Sequence, residues 1–319
     1  MAKILVTGAA GFIGAHVAQA LLKRGDEVVC VDNFNDYYDP TLKEARISAL
    51  LGDFKPKWYR VDVSNPEAIK KVFSENKFDA VCHLAAQAGV RYSLEHPELY
   101  IQSNVVGTHN ILEAVKEFKI SKLIFASSSS VYSGNEKLPW SETDPVDKPI
   151  SLYAATKKAN EVEAYTYHHL YGLNVSALRF FTVYGPWGRP DMAYFKFADA
   201  IADGRPIDVY NNGAMKRDFT YIDDIVDGVV KAIDACTGYE IINLGSHAPV
   251  ALESFIEILE AELGKKAKKN YLPLQPGDFL ENFADIEKAK TLLGWQPATN
   301  IGDGLKKFIF WFKDYRHVK

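Results

Sequence analysis

Cysteine is scarce in this chain: Cys30, Cys82 and Cys236 stand far apart, with no CxxC spacing. A disulfide framework and a cysteine-built zinc site are therefore not expected. His168 and His169 have no carboxylate or thiol partners at ligand spacing, so no metal is expected either. No apolar run reaches the roughly 20 residues that cross a bilayer. "MAKILVTGAAG" leads straight into an apolar strand without a signal-peptide stretch, so a cytoplasmic protein is expected and "NVS" at Asn174 is not read as a glycosylation site. Neither sign of charge dominates: 37 basic against 41 acidic residues leave a net charge of −4. That balance suggests neither nucleic acid nor a membrane surface as partner. The one dense basic run, Lys265 to Lys269, lies among Glu253, Glu257, Glu260 and Glu262 and reads as a solvated helix end. Internal repeats and low-complexity segments are absent.

What the chain does have is alternation. Across its 319 residues, enough for about two domains, strand-length apolar runs recur with helical patterns between them. "KILVTG" precedes the helical "FIGAHVAQALLKRG". Strand "EVVCVD", a long polar connection, strand "KWYRVD", helix "PEAIKKVFSE", strand "DAVCHLAA", helix "NVVGTHNILEAVKEF" and strand "KLIFASS" follow. This order predicts an α/β fold, a doubly wound parallel sheet of the Rossmann type. After "SALRFF" the texture turns to Gly, Pro and aromatics, with helices expected near 193–203, 223–235, 252–263, 285–293 and 303–314. The expected division is a cofactor-binding domain over 1–181, with a return near 219–246 that brings "EIINLG" back to the sheet. A smaller mixed lobe over 182–319 would bind substrate.

"TGAAGFIG" places Gly8, Gly11 and Gly14 between the first strand and its helix. Glycines there allow a tight turn, close approach of a pyrophosphate to the backbone, and close helix–sheet packing. Asp32 ends the next strand 18 residues after Gly14. Its carboxylate can accept from both ribose hydroxyls and would repel a 2′-phosphate. No arginine follows within several residues, so NAD is favoured over NADP. Asp62, at the end of the third strand, either caps a helix or reaches the adenine. Phe12, Ile13, Asn33 and Val63 flank these positions and complete this part of the expected cofactor site. His83, within a strand, reads as a core residue.

"SLYAATKKANEVEAYTYHH" puts Tyr153 and Lys157 one helical turn apart. The spacing alone is weak, since Tyr315–Lys319 has it too. Context separates them: the serine run Ser127 to Ser130 ends the preceding strand, at the edge of the sheet where ligands bind. A nearby ammonium and a positive nicotinamide would favour phenolate, so Tyr153 can remove a proton from an alcohol whose oxygen a serine holds. "YTYHHLYG" reads as a packed aromatic helix face.

These stretches, with "HLAAQAGVRYS", "SSSSVYS", "YAATK", "LRFFTVYGP" and "RDFTYIDDI", resemble the extended short-chain dehydrogenases that act on nucleotide sugars. The resemblance runs nearly end to end. Through "DNFNDYYD", "AAQAGVR" and "TVYGPWGRPDM" the closest likeness is to the UDP-glucuronate 4-epimerases, NAD enzymes that oxidise the sugar at C4 and return hydride to its other face. The resemblance implies Ser128 as catalytic hydroxyl, Tyr153 as base and Lys157 as its partner. It implies Ser129, Ser130 and Arg91 at the sugar site, and Ala85, Ala86 and Asn104 near the cofactor. Arg217 would meet the diphosphate and Asp278 the uridine ribose. It also suggests a homodimer, with "YTYHHLYG" against the helix around 104–118 of a second copy. Ser133 departs from the pattern, where glycine usually follows "VY".

Such an enzyme must recognise a carboxylate. Arg189 can do so with two parallel charge-assisted hydrogen bonds, and Thr182 can donate a third. A surface arginine paired with Asp191 is the competing reading. Ser129-Ser130 stands where dehydratases of this family carry Asp-Glu, so dehydration is not expected. A UDP-glucose/galactose epimerase, a UDP-glucuronate decarboxylase giving a UDP-pentose, and a non-catalytic NAD-binding regulator stay open as alternatives.

Overall fold

Strand β1 (Lys3–Thr7) sends Ile4 and Val6 into one core cluster and Leu5 into another. Successive side chains of a strand point to opposite faces, so a strand apolar at every position needs cover on both. The computed structural model, which describes residues 1–274 and 280–318, supplies that cover. Twelve strands occur among the described residues. The first six are β1, β2 (Glu27–Asp32), β3 (Lys57–Arg60), β4 (Ala80–His83), β5 (Lys122–Ser128) and β6 (Asn174–Phe180). The rest are β7 (Thr182–Tyr184), β8 (Pro206–Tyr210), β9 (Lys216–Tyr221), β10 (Tyr239–Leu244), β11 (Pro249–Ala251) and β12 (Lys268–Leu272). Seven of them form one parallel sheet in the order β10-β6-β5-β4-β1-β2-β3. Buried residues of helices Phe12–Arg24 and Ile222–Ala235 join the cluster on one face. Those of Pro66–Ser74, Gly107–Glu117 and Leu152–Tyr171 join the cluster on the other.

The chain builds outward from β1 to β3, then crosses back to place β4 on the other side of β1. The crevice at this reversal is where open α/β sheets bind ligands. β10 closes the far edge in parallel register with β6. The smaller lobe holds the sheets β11-β9-β7 and β12-β8. Asp218 of β9 ties it together: the fully buried carboxylate accepts from the backbone N–H groups of Ser246, His247 and Ala284.

The later helices lie at Ala193–Ala202, Ile222–Ala235, Leu252–Leu263, Glu287–Leu293 and Ile301–Arg316, within a few residues of the expected spans. Two readings need correction. The polar connection after β2 contains a helix, Pro40–Leu51, opened by Asp39 as N-cap with Pro40 in the first turn. The aromatic run on Leu152–Tyr171 is only partly packed: Tyr167 is buried, whereas Tyr165 and Tyr171 are more than half exposed. Among the described residues no helix is long and apolar enough to cross a membrane.

Candidate active site

At the reversal the backbones come too close for side chains. A Cβ on Gly8, whose φ is 69°, would stand 2.7 Å from the Ala85 nitrogen. One on Gly14 would stand 2.1 Å from the Gly8 carbonyl oxygen. The glycine turn is thus a bare backbone cradle wedged between β1 and the chain leaving β4. Helix Phe12–Arg24 starts on it at Gly11 with no side-chain cap and no acidic residue in its first turn. Its first N–H groups are therefore left for an outside anion, which suits a pyrophosphate.

Around this cradle lies a cavity of about 390 Å³. It is lined by Gly8, Gly11, Phe12, Ile13, Gly14, Asp32, Asn33, Asp62, Val63, Ala85 and Ala86 on the cofactor side. Ser128, Ser129, Ser130, Tyr153, Lys157, Thr182 and Arg189 line its other end. Asp32 is buried and accepts from Ala10 N at 3.0 Å and Phe34 N at 2.8 Å, so it sets the turn as well as facing the cavity. Asp62 does not cap the helix Pro66–Ser74, a role taken by Asn65. It accepts from Asn33 Nδ2 at 2.7 Å and from both the nitrogen and the hydroxyl of Ser64. His83 is a core residue, bonded to Thr7 and Thr108, and burial pushes its pKa down to about 3.

The helix Leu152–Tyr171 carries Tyr153 and Lys157 from the N-cap Ser151. Lys157 Nζ donates to the Ala126 carbonyl at 2.8 Å; burial lowers its pKa to about 8 against the pull of Glu161. Burial raises the pKa of Tyr153, while a hydrogen bond from Ser128 and the charge of Arg189 oppose the rise. In the ligand-free protein desolvation outweighs both. Ser128 Oγ accepts from Ser130 N at 3.1 Å and Ser130 Oγ at 2.9 Å.

Arg189 lines the cavity and is paired with Asp191. Nε and Nη2 meet the two oxygens of Asp191 at 3.0 and 2.6 Å. Burial disfavours both charges, but each partner holds the other ionised.

Three other expected residues stand outside the cavity lining. Asn104 is fully buried behind the wall, bonded to both backbone groups of Gln87 and to Thr156, so it braces the loop after Ala86. Arg91 is exposed beside the Tyr210 ring at 4.8 Å. Arg217 donates to the Lys216 and Leu280 carbonyls. Asp278 lies outside the described residues.

Sequence reasoning missed several lining residues, among them Tyr37, Lys43 and Asn282. Lys43, on the unforeseen helix, stands 3.9 Å from Asp32 and donates to Asn35. From the same helix, Arg46 joins the Ala10 carbonyl at 2.6 Å to the Trp187 carbonyl at 2.9 Å, bracing the glycine turn against the loop that carries Arg189. The "DP" before a pattern of Leu42, Ile47 and Leu51 was the available signal.

Asp32→Ala is expected to raise the NAD dissociation constant about 10- to 100-fold, since the change removes ribose acceptors and leaves two backbone donors unpaired. Titration calorimetry against NAD and NADP checks it; equal binding of the two cofactors by the unsubstituted protein would contradict the role.

The NAD dependent epimerase/dehydratase family model matches residues 4–245. UDP-glucuronate 4-epimerase of Thermodesulfobacterium geofontis is 50% identical over 98% of this chain and 97% of that protein. The crystal structure of UDP-glucuronic acid 4-epimerase from Bacillus cereus, in complex with UDP-glucuronic acid and NAD, is 38% identical. It covers 98% of this chain and 99% of that chain, with a TM-score of 0.92. UDP-glucose 4-epimerase of Thermotoga maritima, solved with UDP-glucose, is 29% identical with a TM-score of 0.90 over 98% of this chain and 99% of that one.

Proposed function

The chain belongs to the NAD-dependent epimerase/dehydratase family, and from that premise we propose that it interconverts UDP-glucuronate and UDP-galacturonate by reversible C4 epimerisation through a 4-keto sugar. One observation carries the substrate assignment: Arg189 and Thr182 line the same cavity as Tyr153 and the serines Ser128 to Ser130. A permanent cation beside the base suits a sugar bearing a carboxylate, which it can bind through two charge-assisted bonds, whereas the CH₂OH of a hexose accepts at most a single neutral-oxygen bond.

The glycine turn, Asp32 and the uncapped helix start fit NAD, which when bound supplies the acceptor and donor of the C4 hydride. Tyr153 Oη takes the proton of the C4 hydroxyl, Ser128 Oγ holds that oxygen, and Lys157 fixes the base end of the helix against β5. Arg189 adds positive charge near Tyr153 and so favours its ionised form. After the flat keto sugar turns, Tyr153 returns its proton to O4 and no net cofactor is consumed. Ser129 and Ser130 cannot supply the acid that expulsion of a hydroxyl requires, which speaks against dehydration. Residues 1–181, with the return near 219–246, would serve the cofactor and the rest of 182–319 the nucleotide sugar. Arg91 and Arg217 would meet the sugar and nucleotide only if substrate draws them in.

Incubating the purified protein separately with UDP-glucuronate, UDP-glucose and UDP-xylose, and resolving the products, tests the reading. Interconversion of the uronates alone is expected; a UDP-pentose as main product, or conversion of UDP-glucose at equal rate, would overturn it.

A cytoplasmic homodimer belongs to the same proposal. Val162 and Tyr165, one turn apart on helix Leu152–Tyr171, are 55% and 53% exposed, and a second copy would cover them. Val162→Glu with Tyr165→Glu is expected to convert the dimer to monomer in light scattering; an unchanged mass would show that this face is free.

A further inference from the structure

A carboxylate of the chain itself already sits on the guanidinium assigned to the substrate. Arginine offers two bidentate edges, Nε–Nη2 and Nη1–Nη2. Asp191 occupies the first; on the second, Nη2 also reaches the Met192 sulfur, a weak acceptor, at 3.6 Å, and among the described residues Nη1 has no hydrogen-bond partner. Asp191 is held in turn: the Tyr37 hydroxyl donates to its Oδ2 at 3.2 Å. Tyr37 comes from the connection after β2 and packs against the Tyr92 ring at 4.8 Å. Its hydroxyl lies where a Cβ on Gly89 would come within 2.8 Å, so the glycine makes room for it. Both side chains of the Arg189–Asp191 pair are 23% exposed, so the pair is too buried to be dismissed as a solvated surface contact.

We infer that Tyr37 and Asp191 are positioning residues that fix the Arg189 fork with its Nη1 side toward the substrate carboxylate, and thereby decide whether the keto uronate is epimerised or loses CO₂. The inference rests on the C4-epimerase reading above. A 4-keto uronate is a β-keto acid. Its C5–C6 bond can break with the electron pair forming the C4=C5 bond of an enolate, O4 taking the charge and CO₂ departing. A proton added at C5 then restores the ketone, and its reduction at C4 by the same cofactor gives a UDP-pentose. Orbital overlap requires the breaking bond to stand perpendicular to the carbonyl plane. A fork held from behind on one edge can pin the carboxylate near that plane with the other. A loose fork still attracts the carboxylate but does not hold its angle.

The test compares NAD-loaded wild type, D191N, D191E and Y37F on UDP-glucuronate, measuring substrate affinity, kcat/KM and the fraction of UDP-pentose. Losing the carboxylate that holds the fork should lower kcat/KM of D191N about 10- to 100-fold, and losing the single 3.2 Å bond from Tyr37 to that carboxylate should lower that of Y37F about 2- to 10-fold. Both should raise the pentose fraction severalfold with NAD affinity unchanged, and D191E should recover most of the wild-type ratio. A merely structural role would lower activity without moving the product ratio, and that result overturns the inference. Tighter substrate binding by D191N would also overturn it, since Asp191 would then be a competitor. If D191N does not fold, the Y37F ratio decides. A wild type that leaves UDP-glucuronate unconverted contradicts the epimerase reading itself, and the same assay separates that outcome from failure of the variants alone.

Discussion

Tyr153→Phe is expected to yield a folded protein that binds NAD and UDP-glucuronate normally and turns over 10²- to 10⁴-fold more slowly, the usual loss on removing a general base. The phenol oxygen is the only atom removed, and the ring keeps its edge contact with Tyr100 at 6.0 Å between centroids. In the ligand-free protein burial holds this phenol in its neutral form, with Ser128 and Arg189 opposing. Tyr315→Phe is the bystander control, because Tyr315 stacks on Trp311 at 5.1 Å, away from the cavity lining. Turnover of Tyr153→Phe within a few fold of wild type, measured by product formation under saturating substrate, would remove Tyr153 from the mechanism.

Arg189→Ala is expected to weaken transition-state binding of UDP-glucuronate by about 2–4 kcal/mol, the range for removing one partner of a buried charge pair. Part of that figure reflects Asp191, which the substitution leaves half-buried with Tyr37 as its one remaining side-chain partner among the described residues. The double variant R189A/D191N removes that penalty and isolates the loss of the carboxylate reader. The fraction of UDP-pentose should rise in both variants, and NAD affinity should stay level, since the guanidinium makes no bond to the glycine turn. Full kcat/KM on UDP-glucuronate with no pentose formed would show that this loop does not read the carboxylate.

The parallel sheet was legible because strand runs and helical periods are local patterns, and each β-to-α alternation constrains the next. Gly8, Gly14 and Asp32 were legible for the same reason: turn, helix start and strand end are neighbours in sequence. Legibility failed where contacts span the chain. Tyr37 meets Asp191 across 154 positions, so no local pattern announces it. Lys43 and Arg46 were hidden because the segment after β2 was read as a polar connection, although Asp39 and Pro40 mark a helix start. Asn104 was expected near the cofactor on family likeness alone; no local pattern announces that its amide is bonded to Gln87 and Thr156, behind the cavity wall. For Arg189 the pairing with Asp191 does not exclude a place at the cavity. A spacing of two residues to Asp191 showed the pair, and only the fold shows that the pair faces the cavity.

The central claim is that the bond broken and remade is at C4 of a UDP-uronate. UDP-glucuronate carrying deuterium at C4, incubated in ordinary water and analysed by mass spectrometry and NMR, tests it most directly. The account predicts UDP-galacturonate with the deuterium still on C4, because hydride leaves that carbon and returns to it without meeting solvent. Loss of the label to water, or a UDP-galacturonate formed only with solvent hydrogen at C4, would contradict it.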